Sequence, residues 1–333
     1  MDARNAGGMM RAFLPLDCYS RRRFIGCGTA AMTLSPALAQ SPSQIPASPP
    51  TDSSKVTAQT DAAQHLTIEV LLNGKGPFRF VVDTGADRTV MADTVALSLG
   101  LLQSHQVLVA GVVRTLPAQT VKLGNISFGA VSRNNLVVPI LPRAFLAADG
   151  YLGLDVIDGY RVTLDFKNQA LLITEPRYVH TYSIVPPYEA RISLSGHQGH
   201  LRAVNCNADG VRTTTFIDTG AEVSVGNSQL YDALVERDPS YIKLQTVPIT
   251  GVTGGVIDGR VTTIKRVKLN GVTFEDCNIA IADMQIFDLW GLSDTPAMLI
   301  GMNFLRQFAQ VSIDFGSKEI RFDLARLVLA ERT

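Results

Sequence analysis

A short motif, Asp-Thr-Gly-Ala followed by an acidic residue, occurs twice in this chain of 333 residues. Its aspartates are Asp83 and Asp218, and an apolar run ends directly before each of them, Phe80-Val81-Val82 in the first copy and Phe216-Ile217 in the second. Each copy predicts a buried strand that ends in a tight glycine turn, with the aspartate at the turn. One such tripeptide arises by chance in many chains, but two copies in matching contexts predict one paired site.

Three further segments repeat in the same order after each motif, which is typical of a duplicated unit. The matches pair residues 122–128 with 268–274, 151–155 with 299–303, and 162–168 with 311–317. The sequence therefore predicts two halves and their connections: residues 64–176, a linker over 177–186, residues 187–323, and a tail over 324–333.

The two halves differ in length between the motif and the first of these matches. The offset is 135 at the aspartates and 146 at Lys122 and Lys268, so the second half has eleven extra residues in this interval. The glycine-dense stretch 251–259 lies there, and we expect it to form a longer hairpin tip than its counterpart around Gly111.

Strand patterns dominate both halves. Residues 65–72 alternate apolar and polar side chains, Asn73-Gly74-Lys75-Gly76-Pro77 forms a turn, and residues 78–82 return as a second strand. Similar short runs separated by turn residues continue along the chain, so we predict an all-β fold with few short helices.

The first residues are predicted to be a targeting segment. Residues 20–25, Ser-Arg-Arg-Arg-Phe-Ile, resemble a twin-arginine export signal, and Ala37-Leu38-Ala39 fits a small-x-small cleavage site. We therefore expect residues 1–39 to direct export to a bacterial periplasm; the alternative is a cytoplasmic protein with a basic start. Residues 40–63, rich in Pro, Ser, Thr and Gln, predict a disordered linker.

Charge and hydropathy exclude several classes of partner. Without residues 1–39 the chain has 25 basic and 28 acidic residues, a net charge of −3. This balance gives no electrostatic attraction to nucleic acid or anionic lipid. No apolar run is long enough for a membrane span in the mature chain. His197 and His200 lie in a polar turn without further ligands, so we expect no metal and no cofactor.

Two aspartates at one site provide acid–base chemistry. Carboxylates within hydrogen-bonding distance cannot both ionise easily, so one keeps a proton and the pair acts as base and acid at the same pH. The expected catalytic pair is Asp83 and Asp218. The expected supporting residues are Gly85 and Gly220, which let the loops approach, and Thr84 and Thr219, which hydrogen-bond across to the opposite loop.

Two cysteines remain outside the predicted signal. Cys18 and Cys27 lie within residues 1–39, whereas Cys206 and Cys277 lie in predicted strands of the second half. An oxidising compartment would permit a bridge between the latter two. The alternative is two buried thiols, because the sequence does not place their Cα atoms.

The motif and its surroundings resemble a known family. Residues 83–90, Asp-Thr-Gly-Ala-Asp-Arg-Thr-Val, resemble the active-site loop of retropepsin-like aspartic proteases, and residues 299–305 resemble that family's later apolar-Gly-x-Asn/Asp-x-Leu segment. The resemblance covers about residues 64–323 in a fused, single-chain form similar to exported bacterial members. It implies a β-barrel-like fold in each half, related by pseudo-two-fold symmetry, and cleavage of a peptide bound between the halves.

The resemblance also implies a glycine-rich flap over the peptide. This flap maps best onto Gly251, Gly254 and Gly255, with Gly111 in the corresponding hairpin of the first half. The chain departs from the retroviral enzymes at Leu154 and Met302, where those enzymes usually carry Arg. The contacts of the acids after each motif, Asp87 and Glu222, are therefore left open.

The function expected from these observations is that of an exported aspartic endopeptidase that acts on a protein or peptide substrate. Both motifs are complete within one chain, which favours a monomer. Two alternatives stay open at this point: a peptide-binding module that has lost turnover, and a homodimer that uses each half separately.

Overall fold

A computed structural model describes residues 53–57, 59–60, 66–129, 131–175, 189–197, 200–241, 245–269 and 272–323. The predicted signal over 1–39, the linker over 177–186 and the tail over 324–333 lie outside the described residues.

The first half is built almost entirely of strands, as predicted. Its strands are β1 (Ser53–Thr57), β2 (Gln59–Thr60), β3 (Leu66–Leu72), β4 (Lys75–Val82), β5 (Val90–Ala92), β6 (Gln103–Ala110), β7 (Thr115–Phe128), β8 (Val131–Leu141), β9 (Gly150–Leu152), β10 (Arg161–Asp165) and β11 (Ala170–Thr174). Its helices are α1 (Asp93–Ser98), a 3₁₀ turn (Arg143–Phe145) and α2 (Leu154–Ile157).

The second half follows a similar order, with an α-helix where the first half has its 3₁₀ turn. Its strands are β12 (Glu189–His197), β13 (His200–Ala208), β14 (Val211–Ile217), β15 (Val225–Gly226), β16 (Gln245–Thr250), β17 (Val256–Leu269), β18 (Val272–Ile281), β19 (Ala297–Ile300), β20 (Gln310–Asp314) and β21 (Glu319–Asp323). Its helices are α3 (Ser228–Arg237), α4 (Gln285–Leu289) and α5 (Met302–Leu305).

Each half closes a six-stranded ring. In the first half the ring runs β3-β4-β9-β5-β8-β7 and returns to β3, and in the second half β13-β14-β19-β15-β18-β17 returns to β13. In both rings the strand before the aspartate pairs in parallel with a short later strand, β4 with β9 and β14 with β19. Closure satisfies the strand edges, and the inward apolar side chains form the core. The predicted all-β fold of two barrel-like halves is confirmed.

Six antiparallel strands join the halves and continue into the ring of the second half, because β12 also pairs with β13. Their strand order is β1-β11-β10-β20-β21-β12, so β10 of the first half lies directly beside β20 of the second. Across this pair, Arg161 forms an ion pair with Asp314 at 2.5 Å, and the hydroxyls of Thr163 and Ser312 lie 2.9 Å apart. The two halves are therefore hydrogen-bonded to each other through β10 and β20, which follow the ring strands of each half.

This sheet corrects one boundary of the sequence analysis. The linker was predicted to extend over residues 40–63, but residues 53–57 form strand β1 and pair with β11 from Ser53 opposite Thr174 to Thr57 opposite Ala170. The segment is polar in composition. Its pairing relies on backbone hydrogen bonds to an open sheet edge, which the side-chain pattern does not reveal.

The length difference between the halves also lies elsewhere than expected. The strand pairs Leu72 with Ile126 and Ala208 with Val267 make residues 122–128 equivalent to 263–269, not to 268–274. The hairpin tips differ by one residue only, 111–114 against 251–255. The surplus lies in α3, which has ten residues against six in α1, and in the connection from β18 to β19, which has fifteen residues (282–296) against eight between β8 and β9 (142–149).

The two candidate cysteines do not form a bridge. Cys206 lies opposite Leu269 on one edge of β17, and Cys277 lies opposite Ile264 on the other edge. Five residues of strand span roughly 16 Å, whereas a disulfide needs Cα atoms within about 7 Å. Both are buried thiols in the described part of the chain, and burial raises the pKa of Cys206 to about 11.

Candidate active site

The two aspartates lie at equivalent ends of two parallel strand pairs. The Asp83 amide donates to the Leu152 carbonyl at 3.0 Å, and the Asp218 amide donates to the Ile300 carbonyl at 2.9 Å. Each bond continues a ladder, β4 with β9 and β14 with β19, by one residue beyond the strand. Each carboxyl group is thus fixed by the core of its own half, and both are buried.

The threonines after the aspartates bind the opposite loop. The Thr84 amide donates to Oγ1 of Thr219 at 3.1 Å, and the Thr219 amide donates to Oγ1 of Thr84 at 3.1 Å. Each hydroxyl then donates to a carbonyl across the interface, Thr84 to Ile217 at 3.1 Å and Thr219 to Val82 at 2.7 Å. The network is reciprocal and fully buried, so it sets the spacing of the two loops.

The glycines bring each loop against the opposite carboxyl group. A Cβ atom on Gly85 would lie 2.6 Å from Cγ of Asp218, and one on Gly220 would lie 2.5 Å from Cγ of Asp83. Each glycine amide also donates at 2.8 Å to Oδ1 of the aspartate two residues before it. Any side chain at these positions would separate the loops, which is the role expected of both glycines from the sequence.

The electrostatics favour one shared proton. Burial raises the pKa of Asp83 well above its ordinary value, the nearby charge of Asp218 raises it further, and the Gly85 amide opposes the shift. Oδ2 of Asp83 is buried and has no hydrogen-bond partner among the described residues, so it is the atom that could share a proton with Asp218. The pair therefore supplies a base and an acid at one pH.

In each half, a further side chain accepts two hydrogen bonds from a residue that follows the motif. Oδ1 of Asp155 accepts from the Thr89 amide at 2.8 Å and from its hydroxyl at 2.7 Å. Oδ1 of Asn303 accepts in the same way from Ser224, at 2.9 and 2.8 Å. Asp155 and Asn303 lie in matched segments of the sequence, but none of the four residues was predicted to have a role. Their position inside both repeated motifs was the available signal.

The positions that depart from the retroviral enzymes are apolar and buried. Leu154 and Met302 begin helices α2 and α5, and their amides donate at 2.8 Å to the carbonyls of Ala86 and Ala221. An Arg–acid pair at these positions is thus replaced by core packing. The carbonyls of the motif acids accept from the next residue of each helix, at 3.2 Å for Asp87 and 3.1 Å for Glu222.

The repeat seen in the structure is also found by comparison with known families. A family model described as "Aspartyl protease" matches residues 68–156 and again residues 204–304. The chain belongs to the aspartyl protease family. The first match runs from β3 to α2 and the second from β13 to α5, so each covers one ring. The resemblance inferred from the motifs is confirmed, in a tandem form. A search of curated proteins finds no match.

The aspartyl protease has one cleft over its paired aspartates. The cleft has a volume of about 590 Å³, and both Asp83 and Asp218 line it. The β6–β7 hairpin of the first half lines it with residues 107–112, and α4 of the second half contributes Ile286 and Leu289. Ligand clefts typically have volumes of 300–1,000 Å³, so this cleft can hold several residues of a peptide.

The two hairpin tips that border this cleft contact each other, whereas the sequence predicted a single flap at Gly251, Gly254 and Gly255. Arg114 Nε donates to the Thr253 carbonyl at 2.9 Å, and Thr253 Oγ1 donates to the Arg114 carbonyl at 2.7 Å. A Cβ atom on Gly111 would lie 2.3 Å from Thr253 Oγ1, so this glycine permits the contact. Both tips also reach the protease cleft, which is lined by Gly111 and Val112 of the first and by Val252 of the second.

The remaining flap glycines lie at this junction and not in the cleft. Gly254 and Gly255 have φ angles of +73° and +84°, which favour glycine, and both lie against Arg114. Gly251 contacts Val112 of the other tip. Of the four predicted flap glycines, Gly111 alone lines the cleft.

Metal-ligand groups and membrane-spanning helices were both looked for among the described residues, and neither is found there. Within these residues, no group of three or more His, Cys, Asp or Glu side chains could hold a metal ion. Among the described helices, none is long and apolar enough to cross a membrane.

Proposed function

We propose that this protein is an aspartic endopeptidase that hydrolyses peptide bonds by general acid–base activation of water between Asp83 and Asp218. One observation carries the proposal. Two buried carboxyl groups are held together by a reciprocal threonine network, with the glycine of each loop against the carboxyl of the other. A structural ion pair needs no such matched geometry from two halves of a chain.

The chemistry follows from the shared proton. The ionised carboxylate removes a proton from a water molecule, whose oxygen attacks the carbonyl carbon of a bound peptide. The protonated carboxyl group donates its proton to the carbonyl oxygen, which gives a neutral tetrahedral diol. Proton transfer to the amide nitrogen then lets the C–N bond break, and the products are a carboxylic acid and an amine. The pair returns to its starting state with one proton.

The substrate class follows from the shape of the cleft. The β6–β7 hairpin lines it along residues 107–112 and the tip of the second hairpin adds Val252, so we expect it to take an extended polypeptide chain and not a compact small molecule. Because both motifs belong to one chain, a monomer suffices for activity. The specific activity is therefore expected to be independent of protein concentration, whereas a homodimeric enzyme would lose activity on dilution.

The decisive test replaces each aspartate separately. Asp83→Asn and Asp218→Asn should each reduce kcat on an unstructured protein substrate by at least 10³-fold, because either change removes the base or its acid partner. Asp258→Asn, an exposed aspartate on β17, is the matched control and should keep full activity. Circular dichroism checks that all three variants fold.

Two outcomes would contradict the proposal. Unchanged cleavage by either active-site variant would rule out the shared-proton mechanism. Binding of a statine-type peptide by the wild-type protein without cleavage of any peptide would instead identify a peptide-binding module.

Export is a second proposal, supported by the sequence of residues 20–25 and 37–39. A reporter fused after residue 40 should reach the periplasm of a bacterium with a working twin-arginine pathway. Replacement of Arg21 and Arg22 by Lys should keep it in the cytoplasm. Equal export of both fusions would overturn this assignment.

A further inference from the structure

The two halves differ in the space beneath their hairpins. In the first half, apolar and polar side chains around Asp83 line the open cleft. Strand pairing identifies the equivalent positions in the second half: Thr120 lies opposite Pro139, as Val261 lies opposite Ala280. Cleft-lining strand residues of the first half can therefore be matched with equivalent residues of the second half.

Six first-half positions that line the cleft have apolar counterparts in the second half. The cleft-lining positions are Val90, Val107, Val109, Thr120, Pro139 and Tyr151. Their counterparts are Val225, Val247, Ile249, Val261, Ala280 and Leu299, which all belong to one buried apolar cluster. The same wall thus borders the cleft in the first half, where Val107 and Val109 stay half-buried, and is fully buried in the second half.

Side chains from the longer connection cover the second wall. Met284, Phe287 and Trp290 lie in residues 282–296, in or beside α4, and belong to the same buried cluster. The Trp290 ring stacks on Phe216 with ring centroids 4.2 Å apart and planes at 27°. The corresponding connection of the first half has eight residues, too few for an equivalent helix in addition to its 3₁₀ turn. Helix α4 and these side chains therefore plug the second-half pocket.

We propose that the protease selects its substrate mainly through one bulky apolar side chain, which occupies the first-half pocket next to the scissile bond. The plug in the second half leaves only a shallow surface for the residue on the other side of that bond. This inference rests on the proposed peptidase function. It adds a substrate class: polypeptides with a large aliphatic or aromatic residue on one side of the cut and little restriction to large residues on the other.

The rim of the cleft fits an apolar substrate segment. Leu108 on the first-half hairpin is 74% exposed and Leu289 on α4 is 49% exposed, although both line the cleft. Exposed leucines on opposite sides of a cleft gain from burial when an apolar chain binds. An apolar pocket discriminates between side chains by about 10- to 200-fold for each methylene gained or lost.

The test compares cleavage profiles of a peptide library that varies the residues on both sides of the cut. The wild-type protein should prefer Phe, Leu or Met over Ala by at least tenfold on one side only. Val107→Phe fills the first-half pocket from a half-buried strand position and should remove this preference. Gln106→Phe is the matched control, because the neighbouring residue is exposed and does not line the cleft. Its profile should equal that of the wild type.

A second variant tests the plug directly. Trp290→Ala should open the covered wall and add a preference for a bulky residue on the other side of the cut. If this variant does not fold, Val107→Phe alone decides the inference. Equal preferences on both sides in the wild-type protein, or a Val107→Phe profile like that of the wild type, would overturn the inference and leave the peptidase function intact.

Binding separates failure of this inference from failure of the peptidase proposal. If no peptide is cleaved, dissociation constants are measured for two statine-type peptides that carry Phe on one side or the other of the statine. Tighter binding of one peptide by at least tenfold, lost in Val107→Phe, would support the pocket assignment in a non-hydrolytic protein. Equal binding of both, or no binding of either, would refute it.

Discussion

A methyl group added at Gly220 is the sharpest test of how closely the loops must approach. The Cβ atom of Gly220→Ala would lie 2.5 Å from Cγ of Asp83 and 2.6 and 2.7 Å from its two oxygens. Ordinary contact begins at 3.4 Å, so the loop or the carboxyl group must move by about 1 Å. The threonine network directly beside this position resists such a shift.

The expected loss follows from that displacement. A misplacement of about 1 Å costs on the order of 10²-fold in rate, so kcat for a fluorogenic peptide should fall about 100-fold. Separation of the carboxyl groups also weakens the effect of Asp218 on the pKa of Asp83, which that charge raises. The alkaline limb of the pH–rate profile should therefore move to lower pH. Gly85→Ala, at 2.6 Å from Cγ of Asp218, should behave alike.

The control is a glycine with open space around it. A Cβ atom on Gly100 would meet no atom within 4 Å, although its φ of +67° makes alanine unfavourable by roughly 1–2 kcal/mol. Gly100→Ala should therefore lower the thermal midpoint and leave kcat unchanged. A folded Gly220→Ala protein that keeps more than about a third of the wild-type kcat would refute the steric reasoning.

Two other predictions concern stability. Because the pKa of Asp83 is raised in the folded protein, ionisation of this group destabilises the fold as the pH rises above the ordinary value of 3.8. Asp83→Asn cannot ionise, so its thermal midpoint at pH 7 should exceed that of the wild type, with the difference vanishing below about pH 4; a lower midpoint at pH 7 would contradict this. Arg161→Met removes the counter-ion of Asp314, whose side chain is only 2% exposed. Burial alone would raise the pKa of Asp314, but the Ser317 amide and Arg161 lower it below its ordinary value. The stabilisation that comes from this lowered pKa is therefore present above the ordinary pKa of Asp314 and is lost as the pH falls through the lowered value. Since Arg161 keeps 24% exposure, we expect a loss of about 2–3 kcal/mol in urea unfolding at pH 7, partly restored by adding Asp314→Asn; a loss under 0.5 kcal/mol would contradict it.

The paired site could be predicted from sequence because its determinants are local. Asp83 and Asp218 each follow an apolar strand and precede a glycine, so the motif itself encodes strand, turn and carboxyl group. The roles expected of Thr84 and Thr219 also follow, since a hydroxyl beside a paired carboxylate has few other partners. The structure places all four residues as this reasoning requires.

The register of the repeat could not be predicted in the same way. Residues 122–128 and 268–274 both read Lys-Leu followed by alternating apolar residues, but the first segment runs unbroken to the end of β7, whereas the second contains the end of β17 at Leu269 and the start of β18 at Val272. Alternating strands have a period of two, so letter matches fit several registers equally well. The residue at which each strand ends decides among these registers.

The plugged pocket was hidden for a related reason. Trp290 and Phe287 looked like core residues in the sequence, and they are buried. That they occupy the space left open in the other half follows only from comparing the strand pairings of the two halves, such as Thr120 with Pro139 and Val261 with Ala280. The asymmetry was predicted for the hairpin tip, which differs by a single residue between the halves.

The fusion of the two halves has a consequence for how this enzyme can change. In a protease made of two identical subunits, every mutation occurs twice and alters both sides of the substrate channel together. Here one gene segment encodes each side, and strands β10 and β20 keep the halves joined whatever happens around α4. Mutations in residues 282–296 can therefore narrow or widen one side while Asp83 and its surroundings stay as they are.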